Sequence, residues 1–189
     1  MSRVHYIAAS KELPTGNFGG RKPKNIQTHP KAVRFKSASL PEGTIPLDQI
    51  IDLSFIKEDE IEEYESFEDA AGIFIEKLAS GGKEIGKQFK NSFIYRISGS
   101  WGDFYLNSDN EYKFPDMYAA NKKCLNELFD YIRSNMNSGE KIEFYTCWIG
   151  EESEPRAEWL DTVVDLNNFQ IGSDFEFFDR QYVIFSRKG

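Results

Sequence analysis

Two histidines, His5 and His29, and two cysteines, Cys124 and Cys147, are the side chains in these 189 residues best suited to nucleophilic or metal chemistry. A cysteine attacks as its thiolate, which forms near neutral pH only beside a base or a positive charge. His5 and Cys147 both fall in strand-like segments, so one arrangement open to them is a Cys/His pair across a sheet. The bland alternative is stronger. Cys147, between Thr146 and Trp148, and Cys124, on an apolar helical stripe, read as small buried hydrophobes. The spacing of the four residues matches no zinc-ligand pattern, so neither a metal nor a cofactor is expected. Asp103 follows Trp101-Gly102, and a carboxylate beside aromatics can serve as a proton donor or acceptor. Glu143, on a strand, has Arg96 as a cross-strand ion-pair candidate. Neither a Gly-x-Ser-x-Gly elbow nor a His-Glu-x-x-His helix occurs, which argues against serine-hydrolase and zincin chemistry. The catalytic candidates are therefore His5, Asp103 and Cys147.

Two further stretches suit binding better than catalysis. Gly16-Asn17-Phe18-Gly19-Gly20-Arg21-Lys22, with Lys24 just beyond, follows a strand as a phosphate-binding loop would. It fails both nucleotide templates, because Pro23 and the turn formers after it deny the helix that would aim its N-terminus at an anion. Arg21, Lys22 and Lys24 are left as candidates for gripping an anion or a partner. From Glu58 to Glu65, six of eight residues are acidic. The run lacks the glycine and the terminal glutamate of a calcium loop. Glu58, Asp59, Glu62 and Glu63 are candidates for docking a basic protein, set against the simpler role of a solvated charged face.

Charge is unevenly spread. The net −8 divides into +5 over residues 1–50, −8 over 51–80, +1 over 81–138 and −6 over 139–189. The total makes unspecific nucleic-acid binding unlikely in the far field, since phosphate neutralisation needs clustered Lys and Arg. A basic N-terminal arm and acidic surfaces elsewhere would face different partners or each other. The aromatic strand residues Phe175, Phe177, Phe178, Tyr182 and Phe185 lie among acids, so core packing or a protein interface suits them better than stacked bases.

These candidates must be held by a chain with 40% apolar and 15% aromatic residues, enough for one core without disulfides. No run reaches the roughly 18 apolar residues of a membrane span, and the first ten residues lack a signal-peptide core. The expectation is a soluble, cytoplasmic single domain with a long basic Gly/Pro-rich loop at 13–31. Period-two patterns predict strands at 4–8, 32–36, 50–56, 91–98, 141–149 and 162–166. A strand or hairpin is expected over 175–185, and a hairpin joins 91–98 to 103–106. Two helices are expected. One spans 66–80, capped by Ser66 and stopped by Gly81-Gly82. The other spans 115–137, opened by Pro115, with Met117, Ala120, Cys124, Leu125, Leu128, Ile132 and Met136 on one stripe. Six to eight strands with two helices make an α+β fold with a mixed, mostly antiparallel sheet.

In size, acidity and aromatic content the chain is similar to small bacterial immunity or antitoxin-type inhibitors, a likeness of composition that rests on no motif. The expected function is accordingly a non-enzymatic protein-binding module. The alternative is a small enzyme or ligand-binding domain whose pocket is closed by the loop at 14–24.

Overall fold

The fold is α+β, a mixed, mostly antiparallel sheet of seven strands whose central strands are buried on both faces. The computed structural model describes residues 2–20, 32–36, 56–79, 82 and 84–187. The strands are β1 (Arg3–Ala9), β2 (Gly16–Phe18), β3 (Ala32–Phe35), β4 (Ile61–Tyr64), β5 (Gly72–Lys77) and β6 (Phe93–Ser100). They continue with β7 (Tyr105–Leu106), β8 (Lys141–Trp148), β9 (Thr162–Asp165), β10 (Phe175–Glu176) and β11 (Tyr182–Ser186). The helices are α1 (Phe67–Ala70), α2 (Ser108–Lys113) and α3 (Pro115–Ser134). The main sheet runs β2-β5-β6-β1-β8-β11-β9, with β9 parallel to β11 and every other pair antiparallel. Two small pairs, β3-β4 and β7-β10, complete the strands.

Helix α3 covers one face of this sheet. Its stripe buries Ala120, Cys124, Leu125, Leu128 and Ile132 against Ile7, Ile73, Ile75, Ile97, Phe144 and Phe185. Met136 is buried just past the helix end, whereas Met117 stays 46% exposed on the first turn. The other face carries Val4, Tyr6, Ala8, Ile94, Tyr145, Cys147 and Tyr182 under Ile85, Leu78 and Phe89. No helix among the described residues is long and apolar enough to cross a membrane.

The expected helix at 66–80 is one turn followed by a strand. Ser66 caps it as its sequence implies, accepting the Asp69 N–H at 3.1 Å, but α1 ends at Ala70. Beyond it Ile73 and Ile75 are buried while Phe74 is 39% exposed, a period of two. Gly72 allows β2 to close on β5, because a Cβ there would lie 2.3 Å from the Phe18 carbonyl oxygen. Tertiary pairing thus overrides a helical spacing that Phe67, Ala70, Ala71, Phe74 and Leu78 satisfy only formally.

Other connections also differ from expectation. Part of the expected loop at 13–31 is strand β2, and the rest, from 21 on, lies outside the described residues, as does the strand expected at 50–56 apart from Ile56. Strand β6 makes no hairpin with the 103–106 segment. Instead β7 pairs with β10, and β6 pairs with β1 and β5. The 175–185 segment splits between two sheets, and Arg180 takes a left-handed φ of 55° at the break.

Candidate functional site

Arg3 opens β1 and Trp148 closes β8, and the two residues are register partners at the end of the sheet. With Ser2, Asp103, Tyr105, Asn121 and Glu176 they line an open cleft of about 550 Å³. The loop after β6 brings Asp103 there. Asn121 on α3 fixes that loop, accepting the Asp103 N–H at 2.8 Å and donating to the Tyr105 carbonyl at 3.0 Å. Asp103 in turn accepts the Phe104 N–H at 2.7 Å. Trp101, in the same loop, adopts a left-handed φ of 59° and sets its ring 5.0 Å from Phe35. Arg3 is anchored by the Glu176 carboxylate at 2.6 Å and the Phe177 carbonyl at 2.7 Å, and its guanidinium lies 5.1 Å from the Trp148 ring centre.

One rung inward on the same face, His5 pairs in register with Thr146. His5 is 6% exposed and Thr146 is fully buried, and His5 sits among the rings of Phe104, Phe144 and Phe177. Burial lowers the imidazole pKa to about 4, with Asp103 opposing that change and Arg3 adding to it. At neutral pH the ring is therefore uncharged. His5 Nδ1 and Thr146 Oγ1 both lack a hydrogen-bond partner among the described residues.

Of the three catalytic candidates, the structure brings His5 and Asp103 into electrostatic contact and separates Cys147 from both. Val4, not His5, is the register partner of Cys147, so the thiol points to the opposite face of the sheet. Burial pushes the Cys147 thiol up to about 12 and that of Cys124 up to about 11. Glu143 and Arg96 are also apart, because β1 stands between β6 and β8. Glu143 instead accepts the backbone N–H groups of Lys90 and Asn91 and the Tyr182 hydroxyl. No group of three His, Cys, Asp or Glu placed to hold a metal occurs among the described residues.

The acidic run forms an edge of structure. Glu62 and Glu63 lie on β4, which pairs with the basic strand β3. Lys36 reaches Glu63 at 2.9 Å and Glu65 at 3.2 Å, and Arg34 reaches Glu63 at 3.8 Å. Basic and acidic segments therefore meet each other here, in exposed pairs that solvent screens. Asp59 is exposed in the turn before β4, where Glu58 also lies. Arg21, Lys22 and Lys24 fall outside the described residues. The described start of their loop, Gly19, lies against Glu127 of α3.

A second exposed feature lies at the far edge of the sheet. Strand β9 pairs only with β11, and among the described residues nothing pairs with its outer side. Trp159 is 81% and Val163 66% exposed, flanked by Glu158, Asp161 and Asp165. Sequence reasoning missed this edge and most of the cleft. The cleft residues come from five separate stretches of chain, which only register assembles. Trp159 between Glu158 and Leu160, in an acidic setting, was the one local signal for the edge. No protein-family model, curated protein or solved structure matches the chain.

Proposed function

We propose that the chain is a non-catalytic protein-binding module of the acidic-inhibitor kind, which captures an extended basic segment of its partner along the outer side of β9. The observation that carries this reading is the open edge. Sheets ordinarily guard their edges with charge, proline or cover, because unpaired N–H and C=O groups invite another strand. Here Trp159 and Val163 stand exposed beside that edge, and a large exposed aromatic is the commonest anchor of a protein interface. Glu158, Asp161 and Asp165 favour a basic occupant, and the overall charge of −8 steers it in. Backbone pairing would supply affinity and alternate side chains specificity. The side chains that turnover would use support the same reading, since both thiols are held protonated and burial, which lowers the His5 pKa to about 4, leaves that ring a weak base.

Panning a random peptide library against the chain tests it. Enrichment of sequences alternating basic and apolar residues, lost against Val163→Asp and weakened by raised salt, is the expected result. Enriched peptides that bind Val163→Asp as well as the parent would overturn it.

A further inference from the structure

The turn before β9 and the turn before β11 are tied into one platform. The two strands run parallel, so the turns that precede them lie at the same end of the sheet. Gln181 is buried, and its side chain bonds to both turns. Its Oε1 accepts the Phe178 N–H at 3.0 Å, and its Nε2 donates to the Leu160 carbonyl at 3.2 Å. The Ala157 N–H donates to the Arg180 carbonyl at 2.9 Å, and the Gln181 N–H closes its own turn on the Phe178 carbonyl at 3.2 Å. Arg156 adds another tie, reaching Asp161 at 3.3 Å with its guanidinium 4.5 Å from the Tyr182 ring centre. These bonds fix the backbone beneath two exposed rings, Trp159 and Phe178, the second of them 49% exposed.

Strand β9 itself has little backbone to offer a partner. Leu166 donates its N–H to the Ser186 carbonyl at 2.9 Å. Inward and outward residues alternate along a paired strand, so Thr162 and Val164 also turn to β11, and Val163 and Asp165 turn outward. The Asp165 carbonyl already accepts the N–H groups of Asn168 and Phe169. Val163 is left as the residue of β9 whose N–H and C=O both face out. Two such bonds add little affinity, because each replaces a bond to water. Side-chain anchors must supply the rest.

We propose that Trp159 and Phe178 together anchor a large apolar side chain of the captured segment, beyond the rung at Val163, and that Gln181 is the positioning residue that holds the two turns together. This anchor presupposes capture along β9 and gives it a polarity: the segment carries its bulky residue at the end that passes the start of β9. The charges around the rings fit such an occupant. Asp161 faces Arg156, and Asp179 faces Arg180 at 3.4 Å, so those two acids are compensated. Glu158, next to Trp159, has no ion pair among the described residues. An apolar residue with a basic neighbour therefore suits the platform, whereas an acidic neighbour would meet Glu158.

A capped peptide of alternating Arg and Val tests it in three forms: plain, with Trp added at the N-terminus, and with Trp added at the C-terminus. Each is labelled and titrated with the chain by fluorescence polarisation. A gain of at least about tenfold from Trp at one end alone is expected, the scale of one anchoring side chain. Phe178→Ser should abolish that gain and bind the plain peptide as the parent does. Gln181→Met keeps the length of the side chain without its polar end, and it should abolish the gain too. Phe178→Ser changes an exposed position and carries the test alone if Gln181→Met fails to fold. Tyr112→Ser removes an aromatic that is 88% exposed on α2 and should keep the gain. Equal affinity of the three forms, a gain at both ends alike, or a gain that survives Phe178→Ser would overturn the anchor and leave capture at β9 standing. So would a gain lost equally in Tyr112→Ser, and a folded Gln181→Met that keeps the full gain would overturn the positioning role. If no form binds, capture at β9 falls and the anchor with it.

Discussion

The seven-stranded sheet has two edges, and they are finished differently. At β2 the edge strand is three residues long and pinned to its neighbours. Phe18 packs edge-on against Tyr131 at 5.0 Å, the Tyr131 hydroxyl donates to the Pro14 carbonyl at 2.7 Å, and Gly72 admits the backbone of Phe18 and Gly20. At β9 the strand is longer, and Trp159 and Val163 project into solvent. One edge strand is pinned by its packing and the other carries exposed apolar side chains. The difference locates where substitutions should cost stability and where they should cost only binding.

The pinned edge should break first. Gly72→Val places a Cβ 2.3 Å from the Phe18 carbonyl oxygen and 2.6 Å from the Gly20 nitrogen, both of them backbone atoms that cannot swing aside. A loss of about 3 kcal/mol in urea unfolding is expected. A cost under about 1 kcal/mol would show that β2 is loosely held.

Next comes the pH response of the interior between the two edges. The folded pKa of His5, about 4, lies below its ordinary 6.5, so the unfolded chain binds the extra proton in that window. The His5 contribution to stability is then complete above pH 6.5. It falls as the pH drops from 6.5 towards 4, by about 1.4 kcal/mol for each pH unit crossed. Urea midpoints at pH 7 and pH 5 measure it, and His5→Leu should flatten that difference.

Smaller still, Tyr131→Phe keeps the ring against Phe18 and loses one hydrogen bond to Pro14, a cost of about 1 kcal/mol in the same assay. Last is the open edge. Val163→Asp should change stability by no more than about 0.5 kcal/mol, because the side chain has little to lose on the surface. If it unfolds the chain instead, β9 is a structural edge like β2, and the contrast disappears.

Much of this architecture is written locally. Pro115, the stripe from Ala120 to Ile132 and the Ser66 cap each determine their own surroundings, and the structure follows them. Two features depended on contacts remote in sequence. Residues 71–78 satisfy helical spacing and strand alternation alike, and pairing with β6 on one side and β2 on the other selects the strand. The break at Arg180 takes a left-handed conformation without the glycine or asparagine that ordinarily marks one. The cleft shows the same division. Asp103 was legible as chemistry, but Arg3 and Trp148 meet at the cleft through the register of β1 with β8, which no spacing in either strand reveals. The acidic run was legible as charge, though its pairing with β3 was not.

The claim that β9 is the docking edge is tested most directly by amide hydrogen exchange, with and without an alternating Arg-Val peptide as probe. The account predicts that amides within Thr162–Asp165 slow on adding the peptide, that those of Gly16–Phe18 do not change, and that Trp159→Ala abolishes the slowing. Protection that appears elsewhere, or that survives Trp159→Ala undiminished, would contradict it.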